Sequence, residues 1–376
     1  MCVALIAMAI VLTGCKKKEP ETYKIGAIFA VTGGASLLGA PEAKTAEMMV
    51  EKINAEGGVN DKQIELIVKD SGGSAEKAIS FAKQLIEEDQ VIAIIGPTTS
   101  GETMQIKDLC NDAKVPLVSA AAAEVIVDPV APYVFKTPQK DSYVVKWIYE
   151  TMNDMDIDRI GVVVANTGFG NAGKGQLEKY AGDYGIDIAI AESYDSAATD
   201  LTALMTKVNA ADVEAVVNWS IVPAQSIVIK NTRQLGMEIP IFQSHGFGNI
   251  GYVEAAGEAA EGVIFPCGRL LVADKLPDSN PQKKLLVEYA DEYRTKYNGE
   301  EPSTFGGHAY DALAIIIEAI GNGGTDRDTL RDEIEKIRNF PGTGGVFNFS
   351  PEDHNGLGMD SIIMLTVKNG EFAILE

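Results

Sequence analysis

Short apolar runs alternate with longer amphipathic stretches from residue 24 almost to the end of the chain. Residues 24–30 (KIGAIFA) read as a strand, and the small and hydroxyl residues of VTGGASLLG as its loop. A helical pattern over 41–55 stops at Glu56-Gly57-Gly58, as helices commonly do where glycine follows the last periodic position. The same alternation predicts a strand at 63–69, a helix at 75–88, and then the run 91–95, an amphipathic segment and a second run at 115–118. Short apolar runs bounded by Gly and Pro are the pattern of buried parallel strands. A second series begins at Arg159, with strands expected at 160–165, 186–190, 215–218 and 239–242. Helices are expected between them at 174–184, 201–209, 224–234 and 251–256. The polar, proline-interrupted segment 136–141 separates the two series and reads as a crossover linker. Helices at 282–297 and 304–319, a glycine-rich segment at 342–345 and a strand at 362–367 close the chain. Strand and helix alternating in this way predict an α/β protein with parallel sheets covered on both faces.

A chain of 376 residues with 46% hydrophobic residues has material for two cores. Its formal net charge of −22 excludes the basic surfaces that bind nucleic acid or anionic membranes, without naming a ligand. Residues 1–10 are apolar and lead to Leu12-Thr13-Gly14-Cys15 and three lysines. This is the pattern of a bacterial lipoprotein signal, cleaved before Cys15 with the lipid on its thiol. No basic residue precedes the run, a departure from such signals, and an ordinary signal peptide or short anchor is the other reading. With Cys2 in the signal and Cys15 lipidated, Cys110 and Cys267 remain. Two cysteines so far apart imply no disulfide framework.

Candidate chemistry concentrates after the strand at 91–95. Thr98, Thr99 and Ser100 precede a helix, and Ala120 to Ala123 follow the next run. In open α/β sheets ligands bind at the carboxyl ends of strands, where helix N-termini offer N–H groups to anions. The same hydroxyls are equally ordinary caps. Residues 166–175 (NTGFGNAGKG) approach the frame of a phosphate-binding loop, but Gly175 stands where the magnesium-binding hydroxyl is required. His245, His308 and His354 fit no metal spacing, and no hydrolase or zincin motif is present. Neither enzymatic activity nor a cofactor or metal is expected.

IIGPTTSG, followed after a helix by VPLVSAAAA, resembles the first-lobe ligand loop of the type I periplasmic solute-binding proteins. The branch is that of the leucine/isoleucine/valine-binding protein, and the likeness runs from about residue 23 to the C-terminus. It implies two doubly wound parallel-sheet lobes joined by a three-segment hinge, with crossings near 138, 268 and 345. The implied organisation is a signal at 1–14, a lipidated tether at 15–22, an N-terminal lobe at 23–138 and 269–345, and a C-terminal lobe at 139–268 and 346–376. The family's first-lobe disulfide has no counterpart, since Thr99 occupies one of its positions.

By the same resemblance Ser100 matches the hydroxyl that holds the ligand carboxylate. Ala123 replaces a threonine, leaving the N–H groups around Ala121, Ala122 and Ala123, with the helix dipole beneath Thr98 to Ser100. Leu38 replaces an aromatic residue, Phe169 sits where relatives pack an aromatic ring on the ligand, and Ser220-Ile221 replaces Gly-Tyr. Phe169 is open to a lobe-packing role, and Trp219 reads either as a wall for an aromatic ligand or as a buried structural ring. His245 stands where amino-acid binders place the carboxylate that pairs with the ligand's ammonium, while His308 reads as scaffold. The implied function is the receptor of an ABC importer, working as a monomer with permease and ATPase subunits on the periplasmic or cell-surface side, membrane-linked only through its lipid. The altered pocket points to a small carboxylate, an aromatic or other organic acid. A branched-chain amino acid is the alternative, and a ligand sensor the alternative of another class.

Overall fold

A computed structural model describes residues 22–376; the signal, the tether and Cys15 lie outside the described residues. The first series is β1 (Thr22–Phe29), α1 (Ser36–Ala55), β2 (Gln63–Asp70), α2 (Ala75–Glu87), β3 (Ala93–Ile95), α3 (Ser100–Asp112), β4 (Leu117–Ser119) and β5 (Val134–Lys136). The second is α4 (Asp141–Asp154), β6 (Arg159–Ala165), α5 (Gly168–Ala181), β7 (Asp187–Tyr194), α6 (Thr202–Ala210), β8 (Ala215–Trp219), α7 (Ala224–Gln234), β9 (Ile241–Gln243), α8 (Ile250–Ala256) and β10 (Ile264–Cys267). There follow α9 (Lys283–Lys296), α10 (Thr304–Gly321), α11 (Arg327–Lys336), the small hairpin β11 (Phe340–Pro341) and β12 (Val346–Phe347), and finally β13 (Ile363–Lys368) and β14 (Glu371–Ile374).

The strands form a five-stranded parallel sheet, β2-β1-β3-β4-β5, and a seven-stranded sheet, β14-β13-β10-β9-β8-β6-β7. The second is parallel except at its far edge, where β13 pairs antiparallel with both β10 and β14. Burial on both faces follows from period-two alternation of apolar residues. In the first sheet Ile25, Ala27, Phe29 and Ile95 pack with α1 and α10, while Ile28, Ile94 and Leu117 pack with α2 and α3. In the second, Val162, Val164 and Val217 face α4 and α5, and Val163 and Val216 face α6 and α7.

Strand order reverses between β1 and β3 in one sheet and between β6 and β8 in the other, and such reversals open crevices at the carboxyl ends of strands. The two sheets present those ends to each other. The chain crosses between them at adjacent points: Gln139 Nε2 donates to Gly344 O at 2.7 Å, and Gly268 lies beside both. Asp311, fully buried, fixes the third crossing by accepting from Thr343 N, Thr343 Oγ1 and Gly344 N.

β5, β10, α11 and β14 were not expected from the sequence, and two further elements are placed differently. The linker at 136–141 runs directly into α4, and α1 begins at Ser36, so that Pro41 lies inside it. Proline has no N–H for the carbonyl four residues earlier. That carbonyl, Leu37 O, instead accepts Asn249 Nδ2 from the other lobe at 2.7 Å. Cys110 and Cys267 are both free and buried.

Candidate functional site

The turn after β3 delivers three consecutive hydroxyls to the cleft, and their partners separate their roles. Thr98 Oγ1 accepts from Ala30 N at 2.9 Å and donates to Glu42 Oε2. Burial holds the Glu42 carboxyl well above its usual range, with a smaller push from Glu102 against the opposing Thr98 hydrogen bond. Thr99 is the N-cap of α3 and shares a capping box with Glu102. Ser100 Oγ accepts from Ala123 N at 3.2 Å, and its own proton has no acceptor among the described residues. Ala121 N donates to Ser119 Oγ at 3.1 Å. Of the groups expected to grip an anion, Thr98, Thr99, Ser100 and the N–H groups around Ala121, Ala122 and Ala123, the Ser100 hydroxyl proton and the Ala122 N–H are left without a partner among the described residues. Thr98 is engaged by Ala30 and Glu42, Thr99 by Glu102, Ala121 N by Ser119 and Ala123 N by Ser100, and Ala123 is buried behind Ser100 rather than lining the cavity.

From the second lobe, Phe169 follows β6, Ile221 follows β8 and His245 follows β9, each at a strand's carboxyl end. These three meet Leu38, Thr98, Ser100, Ala121 and Ala122 around one enclosed cavity. Trp219 and Ser220 do not line it. Trp219 is fully buried behind the wall, its ring 5.6 Å from Phe169 and 5.8 Å from His245. It occupies the space left by Gly173, where a Cβ would fall 2.2 Å from the indole. Ser220 shapes the turn, its Oγ accepting from Val222 N at 3.1 Å. Thr99 faces a separate, outer part of the cleft of about 630 Å³, which Ser100, Phe169 and Ile221 also border. The inner cavity is closed down to about 20 Å³, room for about one water molecule, so a solute enters it only with the lobes apart.

Four residues at this cavity were not expected from the sequence. His308, expected to be scaffold, lines it with Phe305 from the first turns of α10, and Pro138 lines it from the first crossing. Beneath the floor lies Lys136, fully buried, whose Nζ donates to Ala122 O, Pro138 O and Gln139 O at 2.9, 2.7 and 3.0 Å. A lone lysine closing the apolar run YVFK was the available signal. Burial lowers the Lys136 ammonium from its ordinary value and raises the neighbouring Asp141 carboxyl, and their mutual attraction opposes both shifts. Burial, then the charge of Lys136 and then His308, hold His245 well below the usual imidazole range. Burial and Lys136 push His308 down to about 3. Both rings are thus neutral at physiological pH. His245 Nε2 stands 3.9 Å from Asp141 Oδ1, too far for a hydrogen bond, and with a neutral ring the contact is no ion pair.

The comparisons with known proteins agree with this architecture. The family model described as periplasmic binding protein matches residues 22–371. The leucine-, isoleucine-, valine-, threonine-, and alanine-binding protein of Pseudomonas aeruginosa is 26% identical over 375 residues, 98% of this chain and 94% of that protein. An extracellular ligand-binding receptor from Rhodopseudomonas palustris HaA2 superposes with a TM-score of 0.88 at 26% identity, covering 95% of this chain and all of that one. The branched-chain amino acid transporter substrate binding protein LivJ of Streptococcus pneumoniae, solved in complex with isoleucine, gives a TM-score of 0.83 at 27% identity over 94% of this chain and 99% of that one.

Proposed function

The chain belongs to the periplasmic binding protein family, whose members bind solutes and are not enzymes, and from that premise we propose that it is the receptor of an ABC importer for a small carboxylic acid without an α-ammonium group, aromatic or aliphatic. The solute is enclosed between the lobes, with Ser100 donating to its carboxylate at the N-terminus of α3. Leu38, Phe169 and Ile221 flank its apolar body and His245 meets it from the second lobe. The lobe boundaries at 138, 268 and 345 and lipid attachment at Cys15 are proposed with it.

The observation that carries this reading is the charge around the inner cavity. Lys136 lies buried beneath the floor with the Asp141 carboxyl as its counter-charge, two neutral imidazoles stand in the walls, and no carboxylate is among the lining residues. A solute carboxylate meets the Ser100 hydroxyl there, whereas a buried ammonium finds no carboxylate in the walls to pair with. A branched-chain amino acid is the second reading, favoured by what the relatives from Pseudomonas aeruginosa and Streptococcus pneumoniae are named as binding. Thermal unfolding of the refolded, solute-free chain separates the two. A bound solute at about 100 times its Kd adds about 2.7 kcal/mol of stability. Carboxylic acids are expected to raise the midpoint and leucine to leave it; a rise with leucine alone reverses the assignment.

A further inference from the structure

His308 enters the site by an arrangement that the sequence does not announce. Its carbonyl accepts Thr137 Oγ1 at 3.0 Å, which ties this turn of α10 to the first crossing and brings the ring to the cavity wall beside Phe305. Both histidines are nine-tenths or more buried. Three of their ring nitrogens, His245 Nδ1, His245 Nε2 and His308 Nδ1, have no hydrogen-bond partner among the described residues. Natural interiors rarely leave such groups unmet; His245 Nε2 stands 3.9 Å from the equally unmet Asp141 Oδ1 and His308 also borders a second small void, but both rings line the inner cavity, and their unmet nitrogens mark the place of a polar occupant.

The chemistry of that occupant follows from what a neutral imidazole offers, one N–H donor and one lone pair. His245 therefore presents a donor and an acceptor at once. An ammonium supplies donors only and leaves the imidazole N–H unmet. An unsubstituted carbon leaves all three nitrogens dry. A hydroxyl both gives and takes a hydrogen bond, and satisfies a donor and an acceptor together.

We propose that His308 contacts the solute and that His245 and His308 form a paired-imidazole clasp for an uncharged hydroxyl, so that the preferred solutes are hydroxy-substituted carboxylic acids. The clasp rests on the carboxylic-acid reading above: Ser100 takes the carboxylate, and the imidazoles read the second oxygen. A site that hydrogen-bonds a substrate hydroxyl discriminates strongly against the analogue lacking it, because its own polar groups are then buried without partners.

Isothermal titration calorimetry on the full chain, unfolded and refolded to strip bound solute, tests this with molecules matched in skeleton. Isocaproate, leucic acid and leucine differ only in carrying hydrogen, hydroxyl or ammonium beside the carboxylate; benzoate and para-hydroxybenzoate form an aromatic pair. In at least one pair the hydroxy acid is expected to bind about tenfold tighter or better than its plain partner, a difference of about 1.4 kcal/mol. His308→Leu should bring that ratio close to one, whereas His308→Gln, which keeps a donor and an acceptor, should retain most of it. Circular dichroism midpoints establish that both variants fold. Equal affinities for plain and hydroxy acids in the wild-type chain mean that water satisfies the imidazoles, and overturn the clasp while leaving the carboxylic-acid reading intact. A ratio untouched by His308→Leu removes His308 from the site. Binding of leucine with no binding of either hydroxy acid overturns both readings together.

Discussion

Of the hydroxyls at 98, 99 and 100, only Ser100 keeps a proton without an acceptor among the described residues, so Ser100→Ala removes the side-chain donor that the turn leaves over. It should weaken a bound carboxylic acid by about 1.5–3 kcal/mol, the worth of a hydrogen bond to a charged group. An unchanged Kd by calorimetry would put the carboxylate elsewhere. The imidazoles also act on stability. His308 titrates at about 3 in the folded chain against an ordinary value of 6.5, so as pH falls the unfolded state takes up the proton first. The stability this group contributes is complete above 6.5 and is lost as pH falls from there toward 3. Between about pH 7.5 and about pH 5 the wild-type chain should lose about 2 kcal/mol more than His308→Leu, by urea midpoints at the two pH values. Burial pushes the Asp311 carboxyl up to about 7, and its contribution runs the opposite way, lost as pH rises through that value. Since Asp311 is present in both chains, their difference isolates His308. Equal acid losses would show that His308 is protonated in the fold.

A cap and a ligand hydroxyl look alike in sequence, and the helix they start tells them apart. Thr99 Oγ1 accepts from Glu102 N at 3.3 Å while the Glu102 carboxylate reaches back to Thr99 N at 3.2 Å, both at the first turn of α3. Thr99→Ala should therefore cost about 1 kcal/mol of folding stability, measured by chemical denaturation, and leave solute affinity where it was; a loss of affinity matching that of Ser100→Ala would return Thr99 to the site. Most strands of both sheets were legible because a parallel strand buried on both faces is a nearly unbroken apolar run, as in GVVVA of β6, whereas the short β5, β10 and β14 were not anticipated. α7 was legible from its spacing alone. α4 was not, because its polar start, Lys140-Asp141-Ser142, continues a proline-bearing segment, although Val144, Val145, Ile148, Tyr149 and Met152 are buried at helical spacing behind it. α11 buries only Leu330 and Ile334, too narrow a stripe to stand out. Strand direction leaves no mark on periodicity, so the antiparallel edge of β13 and β14 was invisible. Ser100 was a candidate because it follows a strand end before a helix, and His245 through the family resemblance; both line the inner cavity. His308 reaches the cavity only through the docking of α10 against the first crossing, and Lys136 lies beneath it only because β5 ends under Ala122 and Pro138.

Closure of the whole molecule depends on contacts that touch no solute. Gly168, opening α5, stands against Gly101 in the first turn of α3, where an added Cβ would lie 3.0 Å from Gly101 Cα and N. On the same closed face, Asn249 caps α8 through Oδ1, which accepts from Gly251 N at 2.8 Å, while its Nδ2 takes the Leu37 carbonyl that Pro41 leaves free. Two helix N-termini thus meet at a glycine pair, and a proline in one lobe creates the acceptor that the other lobe uses. A solute can draw the lobes together only by as much as it prefers the closed state, and these contacts set the starting balance that it must shift. Gly168→Val adds bulk at that meeting point. Gly168 is not among the glycines held at positive φ, so the change should leave the folded lobes almost as stable as before while holding them apart. The expected result is a loss of about tenfold or more in affinity for whichever acid the wild-type chain binds, a nearly unchanged unfolding midpoint without solute, and no solute-induced fall in the radius of gyration by small-angle X-ray scattering. Wild-type affinity and compaction in Gly168→Val would mean that the lobes bind solute without bringing α3 and α5 together. The inner cavity, which holds about one water molecule when shut, would then have to admit its solute by rearranging its own walls.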